Sequence, residues 1–393
     1  MNANLLRMLL VLMLVCTLLT GCWNRRELQE LVFVTTIGID WNEETESFDL
    51  TVEMVRPLFV PRPGQRTGGG PEERPYYFNF VSGRTASEAL LALQRTRSRN
   101  LSLIHLQAVV FGEEAARRSV ADMVDYLWRF HQTRPFVDII VAEGSARDLL
   151  GSFPGQGDLT GRWLAMLIEQ GRNHGYTYFS PLHRVMYEMV TPGISPVVPV
   201  FTPRESGTPN PENVPSFPEF KADRLAIFRE ERMVSLLTPE ESRGLLIARG
   251  DARATMVTAP SPGAEGEFFS AAIRRIRSQI QVDRTFVNSL PTTRLHVRAE
   301  AEFYQRQRLP QPVSSAMLGR MEQSVSQQIK DEVEAALAAS RAARSDAVGF
   351  GEALRRANPA LWHQVETDWN DRYPDLSVTV TVEVNLTHTG LMR

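Results

Sequence analysis

Little in this sequence is available for bond-making chemistry, and its absences narrow the function before any motif is read. Only two cysteines, Cys16 and Cys22, stand in 393 residues. That excludes a disulfide-stapled scaffold and a cysteine-rich metal site. There is a single long apolar run, near the start and shorter than the roughly 20 residues of a membrane-crossing helix, which excludes a multi-span membrane protein. Neither charge sign is in excess: 43 basic side chains face 46 acidic ones, a formal net charge of −3. A general nucleic-acid binder would carry a strong basic surplus. Lysine is almost missing, with Lys221 and Lys330 the only two, and no function follows from that. None of the seven histidines has another four residues away, and no His-x-x-Glu-His cluster occurs, so a zinc site has no ligands to start from. Gly-x-Ser-x-Gly and Ser-x-x-Lys are also missing, which leaves nucleophilic hydrolysis without a candidate. The residues therefore name no catalytic group, no metal ligand and no cofactor site. What remains, 43% hydrophobic and 23% charged, suits a folded chain of two or three domains.

The start of the chain is more specific. Arg7 is the only charged side chain before Arg25, and the apolar run Met8–Leu19 follows it. A positive start, an apolar stretch of about 7–15 residues and small residues at its end form a secretory signal. The ending Leu19-Thr20-Gly21-Cys22 resembles a bacterial lipobox, in which the cysteine receives a diacylglyceryl group and the chain is cut just before it. The expectation is a lipoprotein signal peptide over residues 1–21 and lipidation at Cys22. Two acyl chains hold a protein firmly on a bilayer, where one holds it only marginally. The body would sit outside the cytoplasmic membrane, and with Cys16 removed and Cys22 blocked it would carry no free thiol.

Along the mature chain, Leu31–Asp40 reads as a β-branched strand and Phe48–Met54 as a half-buried strand of period two. Pro57–Pro75 is a Pro/Gly-rich excursion, after which Tyr76–Val81 resumes a strand. Thr85-Ala-Ser-Glu88 has capping-box spacing and opens a helix towards Arg97. Leu103–Phe111 reads as an interior strand, and Ser119–His131 as a helix with Val120, Met123, Val124, Leu127 and Trp128 on its buried face. Strands and helices alternate in this way to residue 190, a mixed α/β first domain (22–202). Residues 203–219 are Pro-rich and suit a linker. A small α+β middle domain (220–266) follows, a hairpin around Arg229–Arg232 and then a helix capped by Thr238-Pro239-Glu240-Glu241. The last domain (267–393) contains a segment readable as helix or sheet, with sheet preferred. After it come a helix of about 28 residues from Val313 and an alternating strand from Leu376 to Leu386. The fold class is α+β, three consecutive mixed domains after the signal peptide.

Four islands of this sequence resemble the Ger(x)C family of spore-germination lipoproteins. They are Gly21-Cys22-Trp23-Asn24-Arg25-Arg26-Glu27-Leu28 with Ile37-Gly38-Ile39-Asp40; Leu237–Leu246; Asp346-Ala-Val-Gly349-Phe350-Gly351-Glu352 with Asn358-Pro359, Trp362 and Trp369; and the terminal strand closing on Thr389-Gly390-Leu391. They stand in the family's order and span the chain; Asn24 replaces a commoner Asp. The resemblance implies the C subunit of a nutrient germinant receptor, three mixed α/β domains in a row, with no known enzymatic activity. Its partners would be an A-type membrane subunit and a permease-like B-type subunit. Its place would be the outer face of the cell membrane, which in spores is the inner membrane. The alternative is a lipid-anchored solute-binding protein that captures a nutrient for a permease-like partner, although three unlike modules argue against a two-lobed binder.

Several residues invite a sharper reading than they support. Gly349-Phe350-Gly351 lacks the third glycine of a dinucleotide fingerprint and suits a helix start. Trp362 and Trp369, seven apart, fall on one helical face and should pack beneath the terminal sheet. His105 in an apolar strand and His131 at a helix end read as structural. Arg274, Arg275 and Arg277 suit a solvated face.

Overall fold

The computed structural model describes residues 27–56, 74–152, 159–204, 219–287, 289–307 and 314–388, with four scattered positions before them. Apart from those positions, the expected signal peptide 1–21 lies outside the described residues, as do Cys22, most of the excursion after Pro57 and Thr389-Gly390-Leu391.

The chain forms an α+β fold on two sheets. In the larger, β1 (Leu31–Asn42) pairs antiparallel with β2 (Ser47–Val55), and β2 with β3 (Tyr76–Gly83). On its other side β1 runs parallel to the short β4 (Asn100–Ser102) and to β5 (Ala108–Gly112). β6 (Asp138–Ala142) and β7 (Val197–Arg204) extend the parallel core, and β8 (Glu219–Arg229) and β9 (Arg232–Leu236) add antiparallel strands at the far edge. Six helices cover it: α1 (Ala86–Arg95), α2 (Glu113–Arg118), α3 (Ala121–Arg129), α4 (Ala146–Gly151), α5 (Thr160–Asn173) and α6 (Leu182–Val190). α4 and α5 pack on one face and the other four on the opposite face.

α7 (Pro239–Arg249) begins with the expected capping box, Thr238 Oγ1 accepting from Glu241 N–H at 3.2 Å, and ends on Gly250 at φ 72°. The smaller sheet is β10 (Thr255–Pro260), β11 (Phe268–Val287), β12 (Leu290–Arg306) and β13 (Val378–His388). α8 (Ser315–Ala342) lays Met321, Val325, Ile329, Val333 and Leu337 against this sheet and α7. α9 (Phe350–Ala357), α10 (Pro359–Val365) and α11 (Trp369–Arg372) lead back into β13, which lies parallel to β12.

The segment expected as a small middle domain, 220–266, is divided between the two sheets. Its hairpin completes the larger one, while α7 and β10 enter the core of the smaller. Leu245, Leu246 and Ile247 are wholly buried there, which an 11-residue helix on one hairpin could not achieve alone. Residues 205–218 of the expected linker lie outside the described residues. The strands beside them pair, Arg204 opposite Glu219, so this segment joins neighbouring strands of one sheet.

Other expectations change in detail. Residues 103–107 are a turn, closed by Leu106 N–H on Leu103 O at 3.0 Å, and His105 in it is exposed, its ring against Phe33. Ile273 and Ile276 face the core together because a bulge between Ile273 and Arg275 shifts the β11 register; that bulge is what gave the strand its helix-like spacing. Trp362 and Trp369 do not share one helix, since a 3₁₀ turn over Glu366–Asp368 separates α10 from α11. Both are nevertheless buried, with their rings edge to face at 5.3 Å. Arg274 and Arg275 pair across the strands with Glu302 and Glu300 on the exposed face.

Candidate functional site

The groups with the most tightly organised chemistry lie where the two sheets meet. Asp346, four residues before α9, is wholly buried. Its carboxylate accepts from the N–H groups of Gly349 (2.8 Å), Phe350 (3.0 Å) and Gly351 (2.7 Å), and from the Trp369 indole (3.0 Å). A helix start with free N–H groups is an anion site; here the protein supplies the anion itself. Burial raises the pKa of Asp346, and those donors oppose the rise. Its carbonyl accepts from Ser195 N–H at 2.9 Å, which ties this turn to the segment entering β7.

Three glycines make the approach possible. Gly349 has φ 93° and Gly193 φ 84°, conformations that side chains resist. A Cβ on Gly351 would stand 2.6 Å from Gly193 Cα and 2.6 Å from Trp369 Nε1. Across this contact Glu352 N–H donates to Gly193 O at 2.9 Å.

Beside it runs a buried ionic network. Arg249, the last residue of α7, binds Glu188 of α6 and the carbonyl of Ala347, and donates to Tyr178 Oη at 2.8 Å. Tyr178 donates to Glu188 at 2.7 Å, and Arg184 reaches Asp251 at 2.8 Å. Burial opposes the charge on Arg249, yet Glu188, Tyr178 and Asp251 outweigh it and hold its pKa above the ordinary arginine value. Burial pushes the Tyr178 phenol well above its usual range. Breaking such a buried pair costs about 3–5 kcal/mol, because one charge is left uncompensated.

A cleft of about 480 Å³ opens along this seam, lined by Arg184, Tyr187, Asp251, Glu352 and Arg356 among others. Its charges are paired within the protein: Arg184 with Asp251, Arg356 with Glu352, and Tyr187 donates to Glu352 at 2.9 Å. No group of three or more metal-ligating side chains occurs among the described residues. The arrangement is suited to holding two bodies in a fixed relation.

Open α/β sheets usually take ligands at the carboxyl ends of their parallel strands. Here Asp40, at that end of β1, accepts from Ala146 N–H (2.7 Å), Arg147 N–H (2.9 Å) and Ser145 Oγ (3.1 Å), so it caps α4. The carboxylate fills the position, and burial raises its pKa.

Of the residues the sequence singled out, Gly349, Gly351 and Trp369 come together at the seam, while Cys22 lies outside the described residues. Glu188, Tyr178 and Arg249 carried no signal. On an amphipathic helix a glutamate reads as solvent-facing until a partner from elsewhere covers it.

Residues 24–203 match the family model described as spore germination protein N-terminal domain, and residues 223–390 the one described as spore germination B3/GerAC like, C-terminal. The chain is 26% identical to the putative spore germination protein YfkR of Bacillus subtilis strain 168 over 390 residues, 97% of this chain and 96% of that one. It is 24% identical to spore germination protein KC of the same organism over 400 residues, 98% and 96% of the two chains. Among solved structures, the crystal structure of the GerBC protein matches with a TM-score of 0.57 at 16% identity, over 89% of this chain and 96% of that one.

Proposed function

The chain belongs to the Ger(x)C family of spore germination proteins, and from that premise we propose that it is a non-catalytic, lipid-anchored subunit of a nutrient germinant receptor. In this reading Cys22 carries a diacylglyceryl group, the body lies on the outer face of the spore's inner membrane, and it acts through contacts with A-type and permease-like B-type membrane subunits. The observation that carries the reading is the pair of family matches, 24–203 and 223–390, in order along nearly the whole chain. The roles of the islands agree with it. Asp40, Gly349 and Gly351 join helices to sheets, a task for a body that transmits contacts, and the cleft at the seam has its charges already paired.

The test is nutrient-triggered dipicolinate release from spores carrying Cys22→Ala, with a receptor-independent detergent trigger as control. Selective loss of the nutrient response is expected. An unaltered response in spores lacking this gene and its paralogues would reject the receptor role. Calorimetric binding of a nutrient by the purified chain would favour the solute-binding alternative.

A further inference from the structure

We propose that the end of the larger sheet at which the chain enters is a membrane-contact surface, and that it rests on an anionic lipid headgroup layer. β1, β5 and β6 are parallel, so their first residues share one end of the sheet. Main-chain bonds tie that end together: Gln107 N–H donates to Thr35 O at 3.0 Å and Asp138 N–H to Gln107 O at 2.8 Å. β4 starts there as well, Asn100 opposite Leu31.

The turns and helix ends feeding these strands push apolar side chains outward. Ile104 is 41% exposed, Trp128 52% and Phe136 67%. Trp128, expected on the buried face of α3, points to solvent because Met123, Val124 and Leu127 already fill the contact with the sheet. Arg95, at the end of α1, and Arg99 and Arg134, in the turns, are exposed beside them. The acidic groups at this end are Glu27 and Glu30, the buried Asp138, and Asp125, which is paired to Arg129 at 2.8 Å. Aromatic tips beside arginines suit the headgroup level of a bilayer, and each basic residue near an anionic surface adds attraction.

The tether indicates what covers this face. In the lipidated reading, on which this inference rests, residues 23–26 alone separate Cys22 from Glu27, a reach of at most about 18 Å. The bilayer then lies close to this end of the sheet. The opposite end of β1, about 40 Å away, exposes Glu43, Glu44 and Glu46, which an anionic surface repels. Arg84, Arg117, Arg118 and Arg147 are exposed at that far end as well, so the tether, rather than net charge, selects the end that faces the bilayer.

The mature chain has no cysteine besides Cys22, so a single new cysteine takes a single fluorescent label. Mature Cys22→Ser protein with an N-terminal polyhistidine tag is held on vesicles containing a nickel-chelating lipid, phosphatidylglycerol and brominated phosphatidylcholine. A label at His131→Cys should be quenched several-fold more strongly than one at Glu44→Cys. The excess should fall when Trp128→Ser and Phe136→Ser are combined, and should fall again when phosphatidylglycerol is left out. Both substituted side chains are exposed, and an unchanged melting temperature verifies folding. Equal quenching at the two positions, an excess undiminished in the double variant, or indifference to phosphatidylglycerol would each overturn the proposal. The tag holds the chain whether or not Cys22 is acylated in the cell. A failure here is therefore distinct from a failure of the lipid-anchor reading, which the mass of the N-terminal peptide from spores decides.

Discussion

In the larger sheet the central strands are covered by helices on both faces, whereas the smaller sheet packs one face on α8 and leaves the other to solvent. β2 and β13 show what this changes, because both alternate apolar and polar residues. In β13 the polar set, Thr379, Thr381 and Glu383, is exposed, and Glu383 pairs with Arg298 at 3.2 Å. In β2 Thr51 and Glu53 of the polar set turn inward instead, Glu53 beneath the start of α5. Glu53 is wholly buried and accepts from Thr35 Oγ1 and Thr36 Oγ1, both at 2.7 Å, and from Thr160 N–H at 2.9 Å. One pattern therefore builds a wet ion-pair ladder in one sheet and a buried helix cap in the other. A polar residue between apolar ones marks a strand's period; only the next layer decides what that residue does.

The contrast can be broken at Glu53, where the largest effect is expected. Glu53→Ala strips the start of α5 and two buried threonines of their acceptor, and should cost at least about 3 kcal/mol in chemical denaturation. A loss no larger than that of a surface substitution would remove the distinction between the sheets.

A second measurement concerns charge in the two-faced sheet. Burial lifts the Asp138 carboxyl to about 7, and its Oδ1 has no hydrogen-bond partner among the described residues. The folded state thus holds the proton more tightly than the unfolded one, whose carboxyl titrates near 3.8. As pH rises the unfolded chain ionises first, so stability that is full below about pH 4 is lost by about pH 7. Asp138→Asn should flatten this slope and raise the melting temperature at neutral pH. Melting curves of parent and variant that run parallel across that window would count against the burial argument.

The smallest effect is expected on the wet face. Arg298→Gln removes the pair with Glu383, yet exposed pairs of this kind contribute little and are screened by salt. Its denaturation midpoint should match the parent within error, and a clear loss would mean that this face is covered by a partner.

Much of the fold was legible. The capping box at Thr238, the length of α8 and the alternation of β13 follow from local rules, because a cap, a helical stripe and a two-residue period are satisfied by neighbours in sequence. Around position 273 helix and sheet both fitted, with sheet preferred, since the bulge that brings Ile273 and Ile276 to one face leaves no mark in the side chains. The seam was half legible: Gly349 and Gly351 announced a special turn, but Arg249 and Glu188, 61 residues apart, announced nothing.

By itself the sequence determined most of the element types and the family islands, and it set the expectation of an anchor at Cys22. Each rests on residue types and short spacings. The tertiary structure alone decided that the middle segment is shared between two sheets, that Asp346 supplies the anion for its own helix, and that Trp128 faces outward. Those outcomes depend on which surfaces meet across long stretches of chain, where burial turns a polar group from a solvated side chain into an obligatory partner.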